Sequence, residues 1–562
     1  MRRLTLSRLL TIGLSLAVLA AGALLPTACS RSQQAAWPAA LAGGAPIFPD
    51  YGGADLVIPV NIAPLNFIVS EARLPQVATV RMEAFAAGRP EESAPDAALT
   101  VKLRKKDGWL HCRFPLEAWH HCLQKAAGGH VRLGFYDRQG QAVSERGGMT
   151  PDPTDTIRKF LIRWRVAADS IDPYLIYRLS AYDENPCKYL ETEERCLENF
   201  DKRLLMDNRR TDGQCFNCHA SAQNDAGCMS IHLRGAQGGT LLFTDGGFRK
   251  INLPDGFPDL RLAYPAWHPS QRYIAFSSAR IQVFPHTNIY KTQDLIADTL
   301  GRLLIYDLQR NLLLPAPTDP TAAAAHNARF EVSFPVWAPD GRRIYFCRTE
   351  KLRLTDTLSL VENLARFRYH IAAMDFDTAS RTFSLPYTVC TDSTGSLSLP
   401  AIDPSGRYLV VTKLPMGSFP SQNGGELALI DLNRRDSATG LCALTDIPAL
   451  SSPDGEKSHQ FSSNGRWMVF GSKRLNGSTA AIYISHFDRE GRFHAPFVLP
   501  QATGDFHTAQ LRTFLFPVLN RKAAPFTLDE WAESARGAAG TIDMRHFAAD
   551  YTPDGRTAAA GH

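Results

Sequence analysis

Apolar and polar residues alternate with period two through much of the second half of the chain, and the alternation comes in repeated units. Four segments share one pattern: Tyr264-Pro-Ala-Trp-His-Pro-Ser-Gln-Arg-Tyr-Ile-Ala-Phe276, Phe334-Pro-Val-Trp-Ala-Pro-Asp-Gly-Arg-Arg-Ile-Tyr-Phe346, Leu399-Pro-Ala-Ile-Asp-Pro-Ser-Gly-Arg-Tyr-Leu-Val-Val411 and Ser458-His-Gln-Phe-Ser-Ser-Asn-Gly-Arg-Trp-Met-Val-Phe470. Each reads as a short strand, a tight turn, a basic residue and a second alternating strand. The glycines Gly341, Gly406 and Gly465 supply positive φ in three of the turns. A third strand follows each hairpin, at Leu303–Asp307, Ile371–Asp375, Leu427–Asp431 and Ala481–Ser485. Gly341 to Gly406 is 65 residues and Gly406 to Gly465 is 59, enough for a four-stranded blade with its loops. Repeats of this kind predict a β-propeller over 238–520. Gly239–Phe243 and Tyr174–Tyr177 read as strands of further blades. Asp340, Asp403 and Asp454 read as turn acids, and Trp267, Trp337 and Trp467 as packing residues.

Ahead of the repeats, 47–170 is also β-rich. Leu99-Thr-Val-Lys-Leu-Arg, His130-Val-Arg-Leu-Gly-Phe-Tyr and Leu161-Ile-Arg-Trp-Arg-Val alternate in the same way, and glycine-containing turns separate them. An antiparallel sandwich of immunoglobulin-like type is expected. Pro115–Leu123 reads as a short helix with His120 and His121 on its surface. The expected fold class is therefore all-β, a β-sandwich followed by a propeller, with a small helical or irregular segment over 171–237 inserted between them.

The N-terminus adds a compartment. Arg2, Arg3 and Arg8 precede an apolar run from Leu9 to Leu25, the form of a secretory signal over 1–28, and the run is short for a membrane span. Pro26-Thr-Ala-Cys29 resembles a lipoprotein cleavage site, at which Cys29 becomes the acylated first residue. Residues 29–46 read as a flexible tether and 521–562 as a partly disordered tail. The expected location is the periplasm or cell envelope, with a lipid anchor on a membrane. Lys plus Arg (61) nearly balances Asp plus Glu (56) and no basic block stands out, so nucleic acid is not an expected partner.

The chemistry centres on Cys215-Phe-Asn-Cys-His219. Two cysteines at this spacing form thioethers to the vinyl groups of haem, and the adjacent histidine supplies the proximal iron ligand. A short disulfide between Cys215 and Cys218, or half of a zinc site, competes with that reading, although no second C-x-x-C completes four zinc ligands. A second axial ligand would come from His232 or, alternatively, Met229, with Met206 and His459 as more distant candidates. Cys112 with Cys122, and Cys187 with Cys196, are close enough in sequence to form disulfides in an oxidising compartment. Phosphate-loop, zinc-protease and nucleophile-elbow signatures are absent from the sequence.

Further segments carry a family resemblance. They are Pro59–Phe67, Ile171-Asp-Pro-Tyr-Leu-Ile-Tyr-Arg178, Cys196–Asp201, the Cys215–His219 motif, His232-Leu-Arg-Gly235, Gly238-Gly-Thr240, His459, Ser463-Asn-Gly-Arg-Trp467 and Leu499-Pro-Gln501. Their order resembles a Bacteroidetes family of exported TolB-like β-propeller proteins with a single c-type cytochrome motif. The resemblance covers most of 47–520. It implies the architecture and one covalent haem c, and no established reaction. The function expected on this basis is periplasmic electron transfer to or from a redox partner protein docked on the propeller. The alternatives are a TolB-like binding scaffold with a structural or sensory haem, and a haem-dependent oxidoreductase.

Overall fold

The structure is a computed structural model, and it describes residues 45–53, 55–145, 160–181, 189–235, 238–254, 261–284, 295–317, 329–351, 367–416 and 424–546. The signal sequence, Cys29, nearly all of the tether, Cys187 and 547–562 lie outside the described residues.

The chain is almost wholly β. Two sheets form the N-terminal sandwich: one joins Ile47–Phe48, Phe67–Val69, Trp109–Cys112 and Arg104–Lys106, and the other is a five-stranded sheet running from Val57–Pro59 to Ala97–Lys102. The expectation of a purely antiparallel sandwich needs one correction. Val57–Pro59 pairs in parallel with Leu161–Ala167, a pairing between distant segments that alternation cannot specify. The short helix exists as α1 (Leu116–Lys125) and buries Trp119, Cys122 and Leu123. His121 is exposed on it and His120 half-buried. Cys112 and Cys122 are separate buried thiols in the sandwich core rather than a disulfide.

Six blades of four or five strands follow among the described residues. Their innermost strands are Arg512–Asn520, Phe216–Ala222, Ala263–Trp267, Phe330–Trp337, Gly395–Ile402 and Glu456–Phe461. Each packs against the next, and the last returns to the first, so the ring closes. Blade one is built from both ends of the chain. Tyr174–Ala181, Leu190–Cys196 and Lys202–Asp207 come from the start, and the inner strand Arg512–Asn520 comes from the end, pairing Tyr174 with Asn520 and Ala181 with Arg512. The propeller therefore begins at Tyr174, not at 238. The stretch 171–237 is blade one and half of blade two rather than an inserted segment. Tyr174–Tyr177 and Gly239–Phe243 are blade strands, as their alternation predicts.

The repeat chemistry explains the blades. In three of them an arginine one or two residues after the turn reaches an aspartate of the third strand: Arg272–Asp307 (2.7 Å), Arg343–Asp375 (2.7 Å) and Arg407–Asp431 (2.8 Å). Turn glycines pack on the preceding blade. A Cβ on Gly465 would lie 3.1 Å from Pro404, and one on Gly341 only 2.4 Å from His268 Nε2. The tail is also more ordered than its composition suggests. Helix α2 (Leu528–Arg536) opens with a Thr527/Glu530 capping box and buries Trp531, and Gly540–Thr541 adds to the outer edge of blade two. The sandwich is fused to blade six. One apolar cluster runs from Trp119 and Trp164 into Trp467 and Val469, and Ser463 donates two hydrogen bonds to Asp172.

Candidate functional site

Cys215–His219 forms the entrance and first half of the inner strand of blade two. A short turn at Asn208–Thr211 delivers the chain to it, and the Arg234 amide donates to the Cys215 carbonyl at 2.8 Å. Phe216 packs against Trp531 of α2, with ring centroids 5.3 Å apart, so the C-terminal helix buttresses the motif. Asn217 pairs with His232 and Ala220 with Ser230. The ladder between them is broken by a bulge at Cys218–His219, where Cys218 has φ +57°.

That bulge is a property of the whole ring. Every inner strand has a register break at which a non-glycine residue takes positive φ: Cys218, Tyr264, Phe334, Leu399, Ser458 and Phe516; blade two has a second break at Ser221–Ala222. The left-handed conformation costs such residues about 1–2 kcal/mol each. Its recurrence in all six blades shows that the ring geometry demands it. The next residue is proline in four blades (Pro265, Pro335, Pro400, Pro517) and histidine in two (His219, His459). Five-residue segments therefore correspond across the ring, and Cys215-Phe-Asn-Cys-His219 matches Gly455-Glu-Lys-Ser-His459. The two histidines make matching contacts. His459 Nε2 meets the Val410 carbonyl at 3.0 Å, and His219 is bonded by the main chains of Ile176 and Phe516. Val410 and Ile176 occupy the same position in the second strand of the preceding blade, each paired with the inner-strand residue two past the bulge residue.

His219 is buried, and its Nε2 has no hydrogen-bond partner. Burial pushes its pKa down to about 4, and the nearby Arg178 guanidinium adds to the shift, so the imidazole is neutral near neutral pH. Arg178, in the second strand of blade one, donates to Asn217 Oδ1 at 2.7 Å and lies 5.1 Å over the Phe516 ring.

The expected distal ligands are placed elsewhere. His232 Nδ1 is bonded to Thr240 Oγ1 at 3.0 Å. It shares its face of the sheet with Cys228 and Leu242, which pack between blades two and three. Burial holds its pKa down at about 3. Met229 is fully buried on the opposite face with Ile231, Phe216 and Met206. His219 turns towards blade one and His232 towards blade three, so the two imidazoles do not face each other. His459 lies in blade six. Sequence reading missed Arg178 and Phe516 as neighbours of the motif. Phe516-Pro517 does repeat the residue-proline pair of blades three to five, and that was the available signal for Phe516.

No family model matches this sequence and no curated protein matches it. Among solved structures it is similar to TolB from Acinetobacter baumannii, with 13% identity over 72% of this chain and 85% of that one at a TM-score of 0.38. It is also similar to the β-propeller domain of the Trilobed protease from Pyrococcus furiosus, with 8% identity over 56% of this chain and 80% of that one at 0.31. A puromycin hydrolase matches at 12% identity, 59% and 52% coverage and 0.34. At these scores the likenesses add nothing to the strand pairing, which defines this chain by itself as an all-β protein with a closed six-bladed propeller behind a β-sandwich.

Proposed function

We propose that this protein is an exported, membrane-tethered propeller that carries one haem c on Cys215 and Cys218, with His219 as proximal ligand, and exchanges single electrons with a docked protein partner. The observation that carries this reading is the His219 ring. Its Nε2 is buried and without a partner, while main-chain groups of Ile176 and Phe516 hold the rest of the imidazole. An axial histidine needs both features, because the bonded nitrogen fixes the ring and the other is left for the metal. The donor set fits: two cysteines at the attachment spacing and a neutral imidazole.

Haem would supply one-electron chemistry at this place. The chain's own residues orient the motif. Arg178 ties Asn217 to blade one, α2 packs under Phe216, and burial excludes water from His219. His232 and Met229 keep structural roles in this reading. The signal sequence and Cys29 support export and anchoring, and the propeller provides the docking platform.

A second reading has one observation in its favour. Ser458-His459 fills the equivalent position without any cysteine and uses its imidazole to bridge blades. On that reading the protein is a haem-free binding scaffold. Expression in a host that matures c-type cytochromes, followed by haem staining of a denaturing gel, separates the two. Covalent haem is expected, and an unstained band from correctly exported protein would sink the first reading.

A further inference from the structure

The geometry points to Arg178 as the residue that positions the Cys215–His219 segment and raises the reduction potential of the haem bound there. The inference rests on the haem reading above. Three contacts converge on this side chain. Its guanidinium donates to Asn217, inside the motif, at 2.7 Å. It stacks 5.1 Å over Phe516, the bulge residue of blade one, whose main chain bonds His219. Its charge is felt at the His219 ring, where it disfavours a second positive charge. The inner strands of blades one and two are thus joined at the motif by a permanent cation.

The sign follows from electrostatics. A haem held there would take one electron from the docked protein partner, losing one unit of positive charge with no bond made or broken. A fixed cation nearby makes the ferric form less favourable and therefore raises the potential. The site is largely buried, so solvent screens the effect weakly. Arginine is suited to the place, since its planar fork bonds Asn217 while its face covers an aromatic ring, and it stays charged at any ordinary pH.

The test is spectroelectrochemical titration of the full exported chain, wild type against Arg178→Gln. We expect Arg178→Gln to lower the equilibrium constant for reduction about tenfold, which is ~59 mV for a one-electron couple. Arg178→Lys, which keeps the charge, should stay within threefold of wild type. Should Arg178→Gln fail to fold, Asn217→Asp places a carboxylate against the guanidinium, keeps the contact and should lower the constant in the same direction. A residue that only clamped the blades would reduce haem content or melting temperature and leave the potential of the loaded protein unmoved. A wild-type potential in both loaded variants overturns the inference. Absence of haem from the wild-type chain overturns the reading beneath it instead, and the gel stain reveals that case separately.

Discussion

Blades two and six place the same five positions of the repeat in the same part of the ring, yet they differ in chemistry. Both segments end in a buried histidine that meets a main-chain carbonyl of the preceding blade. In blade six the residues ahead of it are Gly455 and Ser458, and the bonded nitrogen is Nε2. In blade two they are Cys215 and Cys218, and Nε2 is the nitrogen without a partner. The difference separates what the fold requires from what has been added. The fold requires a left-handed residue and a bulge. A histidine after the bulge is one way to bridge blades, and proline serves elsewhere. The two cysteines are not required by the ring, and they set blade two apart from blade six; each histidine keeps one buried nitrogen without a partner, Nε2 in His219 and Nδ1 in His459. Steric room separates the two segments as well. A Cβ on Gly455, at φ +78°, would lie 2.8 Å from the Gly424 main chain, so a cysteine there would be strained.

The comparison can be broken most directly at the cysteines. Replacing Cys215 and Cys218 with alanine should abolish haem staining completely and leave the far-UV circular dichroism of the propeller in place. Loss of the β spectrum would instead make the cysteines structural. Next in size, Gly455→Ala should destabilise the protein by about 3 kcal/mol, combining left-handed strain with a backbone clash. Urea denaturation measures this, and a change below about 0.5 kcal/mol would remove the steric distinction between the blades.

A pH experiment tests the histidine of blade six. Burial lowers His459 to about 4, below the ~6.5 of an unfolded chain. The unfolded state therefore binds the proton first. The stability that His459 contributes while neutral is present above pH 6.5 and is lost as pH falls from there towards 4, by up to about 3 kcal/mol. His459→Gln, which does not titrate, should flatten that part of the curve. Equal urea midpoints for the two proteins at pH 7, diverging in favour of the variant at pH 4.5, are the expected result. The smallest effect is expected at Thr240→Val. Losing the bond to His232 should cost about 1 kcal/mol and leave the haem absorption spectrum unchanged. A spectral shift would bring His232 back as an iron ligand.

Much of the scaffold was legible because it depends on neighbours in sequence. Turn glycines, arginine-aspartate pairs and period-two alternation lie within single blades, and they mark four blades without reference to anything distant. The closing strand was less legible. Phe516-Pro517-Val-Leu519 carries the residue-proline signature, but it lacks the hairpin that makes the other repeats visible, because its partner strand lies at the opposite end of the propeller's chain. The tail over 521–562 read as partly disordered, its alanines and glycines lying mostly after Arg536. The Thr527/Glu530 box and Trp531 make part of it a packed helix.

The site divides along the same line. The sequence alone determined that Cys215, Cys218 and His219 stand at the attachment spacing, whereas their place in the inner strand of blade two and in the repeat came from the structure. The sequence could not determine the surroundings. A bulge at Cys218–His219 breaks the alternation, so counting residues from His219 to His232 or Met229 does not tell which face each occupies. The carbonyls that hold the histidine come from blade one, and so do Arg178 and Phe516. Ring closure brings Phe516 there from almost 300 residues away in sequence. Local pattern encodes strands and turns, whereas the free nitrogen of His219 and the cation beside it exist only once six blades have closed on one another.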